Sequence, residues 1–427
     1  MNPQTTRIVL ASLVGTAIEY YDFYIYGTAA ALVFGPLFFP GQSSAAQQLS
    51  AFATFAIAFI ARPVGAALFG HFGDRVGRKV TLVASLLIMG LSTMVIGVLP
   101  GYASIGQLAP LLLCLLRFAQ GIGLGGEWGG AALLATENAP PGRRAWWGQF
   151  PQQGAPLGFL MSTGFFLLLT SLLSDADFRA WGWRIPFLLS GVLLALGLYL
   201  RLRLTETPVF RESMARQERV RVPLFTLLRE HFPATAIGTL SMVVVYAVFY
   251  LTTVFTLSYG TRTLHFSRQH FLGLECLSIV FLSVGIVIAV LLADRHGRRP
   301  VLLTGCVVVG MAGLLMAPML NVGTALSVTS WLSLALFGMG LVIGPVGAFL
   351  PELFPTPVRY TGSTLSYNMA GIFGASYVPY LAQVLVNQGG LSWVGLYLSG
   401  TALVSFAAVW AARETRHVDW HQPADAA

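Results

Sequence analysis

Glu19 and Asp22, three residues apart in one apolar run, and Arg117 and Glu127, ten apart in another, are the side chains of this sequence best placed to do chemistry. An ionisable group near the centre of a bilayer costs about 3 kcal/mol even on lenient scales, so it must face protein or water. A carboxylate held there can take up a proton on one side and release it on the other, while an arginine beside it holds an anion. Within its run, Arg117 shares one helical stripe with Gly121, Leu124 and Trp128, and Gln120 shares the adjacent stripe with Glu127. One helix therefore offers a cation and a carboxylate to a single cavity. Arg62, beside Pro63 in a further run, is a further substrate- or proton-binding candidate, with structural pairing to an embedded acid as the favoured role. The combination suits proton-coupled transport of an organic anion.

These residues need a membrane-spanning scaffold, and the composition supplies one. Of 427 residues 56% are apolar and 10% charged, and the mean hydropathy is +0.72, a balance that fits lipid and not water as the solvent. Spans are predicted near 8–35, 49–71, 80–99, 108–136, 146–170, 183–201, 234–258, 270–293, 300–320, 331–351, 360–386 and 392–412, each long enough to cross about 30 Å of hydrocarbon as helix. The first contains Glu19 and Asp22 and has no small-residue cleavage site, so it reads as a retained span and not a signal peptide. Cys114, Cys276 and Cys306 all lie inside apolar runs and form no disulfide or zinc spacing.

The predicted fold is all-α, with twelve transmembrane helices in two six-helix halves. Residues 1–201 form the first half, 202–232 a central loop, 233–412 the second half and 413–427 a short tail. Arg211, Glu212, Arg216, Glu218, Arg219 and Arg221 in the loop suit an amphipathic interfacial helix, read as a solvated basic linker. Basic residues collect on one side of the spans: Arg75, Arg78, Lys79, Arg143, Arg144, Arg201 to Arg229, Arg295, Arg298, Arg299 and Arg359. The opposite loops hold only Arg179, Arg262 and Arg268. That bias predicts both termini on the cytoplasmic side, and the membrane is expected to be a bacterial inner membrane.

The halves are repeats. GDRVGRK at 73–79 follows the second span and ADRHGRR at 293–299 follows the eighth. Glu137-x-x-Pro140-x-x-x-Arg144 after the fourth span recurs as Glu352-x-x-Pro355-x-x-x-Arg359 after the tenth, with the same internal spacing.

The loop Gly70-x-x-x-Asp74-Arg75-x-Gly77-Arg78-Lys79 resembles the signature of the major facilitator superfamily, whose members share two six-helix halves. Glu19-Tyr20-Tyr21-Asp22-Phe23, Arg62-Pro63, Arg117-x-x-Gln120-Gly121, the stretch Gly125 to Gly130 and Trp181 to Phe187 look like its metabolite:proton symporter family. That family includes carriers of α-ketoglutarate, citrate, shikimate, proline and betaine, the shikimate carriers being most similar. The resemblance implies that Asp74, Arg75 and Arg78 act with Glu137 and Arg144 as a conformational latch. Asp294, Arg295, Arg298, Glu352 and Arg359 would be the counterparts in the second half, where Val290 replaces the leading glycine. Physically, a tight turn can set a carboxylate against a helix N-terminus while arginines pair with acids on neighbouring helices.

Weaker ligand candidates are Gln152 and Gln153 in the fifth span, Tyr246 and Tyr250 in the seventh, and Tyr367 and Asn368 in the eleventh. Glu275, a few residues into the eighth, reads as interfacial. Gly121 to Gly126 fits G-x-G-x-x-G literally, but inside an apolar run it reads as a helix-packing surface and not a dinucleotide site. No catalytic constellation or metal-ligand spacing emerges among the seven histidines. The expected protein is therefore no enzyme. It is a monomeric carrier embedded in lipid, moving a small organic anion with protons, with no cofactor and no nucleic-acid partner. The alternatives are an osmoprotectant symporter of the proline or betaine type and a non-transporting membrane sensor; only about fifteen residues follow the last span, too few for the coiled-coil extension of osmosensing carriers.

Overall fold

The computed structural model describes residues 3–41, 44–73, 76–202 and 223–418. Its first half contains α1 (Pro3–Ala29), α2 (Ser44–Gly73), α3 (Arg78–Val98), α4 (Leu108–Glu137), α5 (Arg144–Leu172) and α6 (Arg184–Leu202). The second contains α7 (Phe232–Tyr250), α8 (Arg268–His296), α9 (Arg298–Leu320), α10 (Ala325–Glu352), α11 (Arg359–Gly374) and α12 (Val378–Ala411). Within α12, Gly389 and Gly390 leave helical geometry, with φ of 70° at Gly390. The piece before this break completes the eleventh span and the piece after it is the twelfth, so the described residues form twelve spans, as the hydropathy predicts.

Symmetry between the halves extends to backbone irregularities that hydropathy does not report. α1 continues through a π-helical turn at Ala30–Phe34, and α7 through one at Leu251–Phe255. The two turns are separated by the same offset, to within one residue, as Asp74 and Asp294. Gly77 and Gly297, each just before the helix that follows the repeated loop, have φ of 126° and 106°. A side chain is strained there, which explains the glycine at both positions.

Lipid and protein divide the helices. Leu91, Val95 and Val98 on α3, Leu188, Val192 and Leu196 on α6, Val307, Met311 and Leu314 on α9, and Leu396 and Leu403 on α12 are exposed apolar side chains. In water such a girdle would drive aggregation; against acyl chains it costs nothing. α7 and α10 are the most fully buried spans. Two seams join the halves: α5 packs on α8 and α10, and α4 and α2 pack on α11.

Small residues set the close approaches. A side chain at Gly121 or Gly125 of α4 would collide with the α2 backbone at Ala58 or Arg62, so the glycine-rich run is a packing surface. Gly347 of α10 leaves the same lack of room against the Gly148 backbone of α5 across the two halves. Val290, which breaks the repeat pattern, is fully buried and packs in a cluster with Ala145 and Ala293. In the first half, Gly70 instead leaves no room beside Thr361 of α11.

Arg211 to Arg221 lie outside the described residues. After them a short helix, Pro223–Glu230, buries Leu227 against Ala66, Phe354 and Val358. The tail is docked up to Val418. Glu414 accepts the backbone N–H groups of Arg298 and Arg299 at 2.8 and 3.0 Å, capping α9, and Thr415 donates to Glu352 at 2.6 Å.

Candidate functional site

Two adjoining spaces lie between the halves. A vestibule of about 560 Å³ opens at the end of the bundle away from the repeated loops, lined by the far ends of α1, α2, α7, α8 and the eleventh span. Deeper lies an inner cavity of about 30 Å³, room for about one or two waters. Phe23, Tyr24, Phe249 and Tyr250 line both spaces and form the partition between them. Tyr24 of α1 stacks on Phe249 of α7 with ring centroids 5.2 Å apart, and Phe23 meets Tyr250 edge-on at 6.4 Å.

On the side toward the repeated loops, hereafter the motif face, the inner cavity has a floor made by both halves. Trp128 and Tyr367 stack face to face at 4.0 Å, and the hydroxyls of Tyr20 and Tyr367 are hydrogen-bonded at 2.7 Å. Below them Asn368 donates to the Gly125 carbonyl at 3.0 Å and Tyr360 to the Gly126 carbonyl at 2.6 Å. The described structure is thus closed at the motif face and open at the other.

Arg62 is the cation of this cavity. Its guanidinium lines the inner space, sits over the rings of Phe23 and Phe59 at 4.8 and 5.0 Å, and leaves Nε without a partner. Among the described residues no ion pair joins it, although Glu19 lies within Coulombic reach. The sequence reading keeps both arginines as ligand candidates and favours Arg117, whereas it is Arg62 that lines the inner space. Arg117 is caged off the cavity by Phe23, Tyr26 and Phe55, at 4.8, 3.9 and 4.7 Å, and donates to Gln120 at 2.5 Å. Gln120 in turn donates to Thr93 at 2.8 Å. Both arginines sit on the face of their helix directed inward, but Phe23 and Phe55 stand between Arg117 and the open space.

The acids also separate. Asp22 is fully buried, accepts a short hydrogen bond from Ser190 of α6, and has Oδ2 unpartnered. Glu19 is buried with Oε2 unpartnered, in reach of the Arg62 and Arg201 charges. Glu127 is held away from the cavity: Arg201 of α6 grips both its oxygens and Ser85 donates to one at 3.0 Å. Arg201 counts as a loop arginine in the sequence, yet it is 2% exposed and also bonds the Leu82 carbonyl at 2.7 Å.

Of the weaker candidates, Tyr246, Tyr250 and Tyr367 all line the inner cavity, with the Tyr246 hydroxyl unpartnered. Gln152 accepts from Trp128 at 3.2 Å and keeps its amide nitrogen free. Gln153 and Asn368 instead bind backbone across the seam, to Ser283 at 3.2 Å and to Gly125. Glu275, read as interfacial, is only 3% exposed and lines the vestibule.

At the motif face the second-half residues assemble into one hydrogen-bonded network. Asp294 accepts the backbone N–H groups of Ala145 and Trp146 at 3.0 and 2.9 Å, capping the first turn of α5 in the opposite half. Arg298 binds Glu352 through two bonds and reaches Asp294 at 3.2 Å. Arg144, expected beside Glu137, lies 3.9 Å from Glu352 and donates to the Val418 carbonyl at 2.5 Å. Arg359 donates to the Phe354 carbonyl at 3.2 Å, and Arg295 points to solvent. Glu137 is buried at the end of α4. Asp74, Arg75 and the Arg78 side chain lie outside the described residues.

The family model for "Sugar (and other) transporter" matches this chain twice, over residues 8–234 and 234–419. The chain belongs to this family of the major facilitator superfamily. It is therefore a transport protein and not an enzyme, and its spans make it a multi-pass membrane protein. It is 52% identical to the inner membrane metabolite transport protein YhjE of Escherichia coli K12, over 96% of this chain and 94% of that one. Against the shikimate transporter of the same organism the identity is 36%, covering 93% and 92%. Against its proline/betaine transporter it is 31%, covering 96% and 83%. Among solved structures, the proton:xylose symporter XylE bound to 6-bromo-6-deoxy-D-glucose has the same fold, with a TM-score of 0.78, 18% identity and 96% coverage of both chains.

Sequence reasoning missed Arg201, the partition residue Phe249 and the docked tail. Only Arg201 had a usable signal, since it is the last residue of the predicted span 183–201 although it counts among the loop arginines.

Proposed function

We propose that this chain is a secondary active carrier that couples proton entry to the uptake of a small organic acid, shikimate-like or another mono- or dicarboxylate, by alternating access. The observation that carries the reading is Arg62, a buried guanidinium facing the inner cavity with no carboxylate at ion-pair distance among the described residues. A cation stranded at that depth calls for an anionic ligand, and an arginine offers a carboxylate two parallel charge-assisted hydrogen bonds. The aromatic walls fit a compact carbon skeleton, while the free hydroxyl of Tyr246 fits one of its hydroxyls. The 36% identity to a shikimate transporter points the same way.

Asp22 and Glu19, on the helix that also supplies Tyr20, Phe23 and Tyr24 to the cavity, are the proposed proton carriers. Substrate and proton enter from the vestibule, the Tyr24–Phe249 partition parts to admit them to Arg62 and closes again behind them, and the motif-face contacts then open. The motif face is assigned to the cytoplasm of a bacterial inner membrane because its loops carry the arginines. The proton is the only coupling ion in this reading, and a single chain holds the complete cavity.

One observation favours a second reading. The faces of Tyr246, Tyr250 and Tyr367 around one arginine would also suit a zwitterion, its quaternary ammonium on the rings and its carboxylate on Arg62. A proteoliposome uptake screen under an imposed proton gradient, comparing shikimate-like, di- and tricarboxylic, aromatic monocarboxylic and betaine-like compounds, separates the two. The acid reading expects alkalinisation outside the vesicles on adding one of the acids, abolished by Asp22→Asn. It fails if no acid moves.

A further inference from the structure

One wall of the vestibule has no part in the mechanism above. Glu275 lies on α8 two turns from its start, is 3% exposed and lines the vestibule, and its Oε1 has no hydrogen-bond partner. Among the described residues no ion pair joins it to a basic side chain. The other buried carboxylates have company. Glu127 has Arg201, Glu352 has Arg298, Asp22 has the Ser190 hydroxyl, and Glu19 lies in reach of two arginines.

The surroundings supply no counter-charge by contact. On α8 itself the neighbours are Cys276 and, two turns away on the same stripe at the vestibule mouth, Arg268. α7 and its continuation contribute Tyr250 and Arg262, α1 contributes Tyr24, and the eleventh span contributes Tyr377 and Tyr380. α5 and α10 pack along α8, and their only charged side chains, Arg144 and Glu352, are at the motif face. On α9 the titratable groups are Arg298, Arg299 and Cys306, the arginines again at the motif face.

A lone carboxylate at such depth needs a positive counterpart, and here the counterpart must arrive through the vestibule. A metal ion is a poor candidate, because it requires several oxygen ligands, Glu275 is the only carboxylate on the vestibule wall among the described residues, and Arg262 and Arg268 at the mouth repel cations. We propose that Glu275 is a proton-binding site of the second half, loaded from the open face through the vestibule and separate from Asp22 and Glu19. Its consequence for transport rests on the proton-coupled acid reading. Arg262 and Arg268 draw an organic anion to the mouth, the ionised Glu275 repels it, and the protonated carboxyl donates it a hydrogen bond, so proton loading precedes substrate entry.

Dicyclohexylcarbodiimide reads the carboxyl without transport, since it adds across a protonated carboxyl group and rearranges to a stable N-acylurea that retains all atoms of both reactants. With the purified full-length protein, mass spectrometry should find the adduct on Glu275 at acid pH and its loss as pH rises, with no adduct at that position in Glu275→Gln. In proteoliposomes the parent's apparent substrate affinity should change by up to about tenfold per external pH unit where one proton is linked to binding, and Glu275→Gln should flatten that dependence. Absence of pH-dependent labelling at Glu275 overturns the proposal. So does a Glu275→Gln pH profile that superimposes on the parent's where an acid is transported. If no acid is transported, the acid reading fails and the labelling still decides the site.

Discussion

Arg298 and Glu352 are joined by two parallel hydrogen bonds of 3.1 and 3.0 Å, with both side chains buried at the motif face. The same carboxylate accepts from Thr415 of the tail and faces Arg144 of the other half, so one acid ties together α9, α10, the tail and α5. Removing one partner of such a pair strands a buried charge at a cost of about 3–5 kcal/mol, whereas replacing both by apolar groups is often neutral. Arg298→Ala should therefore melt well below the parent in detergent, and the double variant Arg298→Met, Glu352→Leu should recover most of the loss. Equal melting of single variant and parent would show that the pair contributes nothing.

Gly347 and Gly148 let the two halves touch backbone to backbone at the motif face. Gly347→Val would force them apart there and favour the state closed at the vestibule. In a background with Cys114, Cys276 and Cys306 replaced by alanine, a Ser258→Cys reporter on the vestibule wall should react with an impermeant maleimide more slowly once Gly347→Val is added. An unchanged rate would mean that this approach does not set the equilibrium.

Arg62 and Arg117 should separate in binding experiments. Losing a charge-assisted hydrogen bond costs about 1.5–3 kcal/mol, so Arg62→Gln should weaken substrate binding about ten- to hundredfold. Arg62→Lys should recover little of it, because a lysine cannot present the paired donors. Arg117→Gln should act mainly on stability, through its contacts with Phe23, Tyr26 and Phe55. Equilibrium binding and thermal melting of both variants provide the test, and a binding defect confined to Arg117→Gln would reverse the assignment.

The pair of Glu127 with Arg201 links α4 to α6 away from the cavity. Arg201→Gln should lower the melting temperature and expression, and a second change, Glu127→Gln, should restore them in part, with substrate affinity little altered in the double variant. If Glu127→Gln alone uncouples proton from substrate movement while stability holds, Glu127 belongs with Asp22 and Glu19 in the proton path.

The Tyr24–Phe249 stack divides vestibule from inner cavity. Aromatic pairs contribute about 0.5–1.5 kcal/mol beyond their buried area. Phe249→Ala should accordingly speed modification of a Tyr246→Cys reporter from the vestibule side severalfold, in the same cysteine-free background. No acceleration would place the barrier elsewhere.

The chain of residues determined by itself how many spans there are and roughly where they lie, because twenty-residue apolar runs can be satisfied in lipid only as helices, whatever surrounds them. It also determined that the protein is a doubled unit, since GDRVGRK and ADRHGRR are local motifs, and that a few embedded charges mark the interior. Tertiary structure alone decided the roles those charges are given. Arg62 and Arg117 are equivalent by depth and type, and only the rotation of α2 and α4, with Phe23 and Phe55 interposed, puts Arg62 on the cavity and cages Arg117. Glu127 finds Arg201 on α6, and Asp294 caps a helix of the opposite half, through pairings between residues far apart in the chain. Such pairings depend on how helices are rotated and how the halves dock, and both are fixed by small-residue contacts spread along the whole sequence.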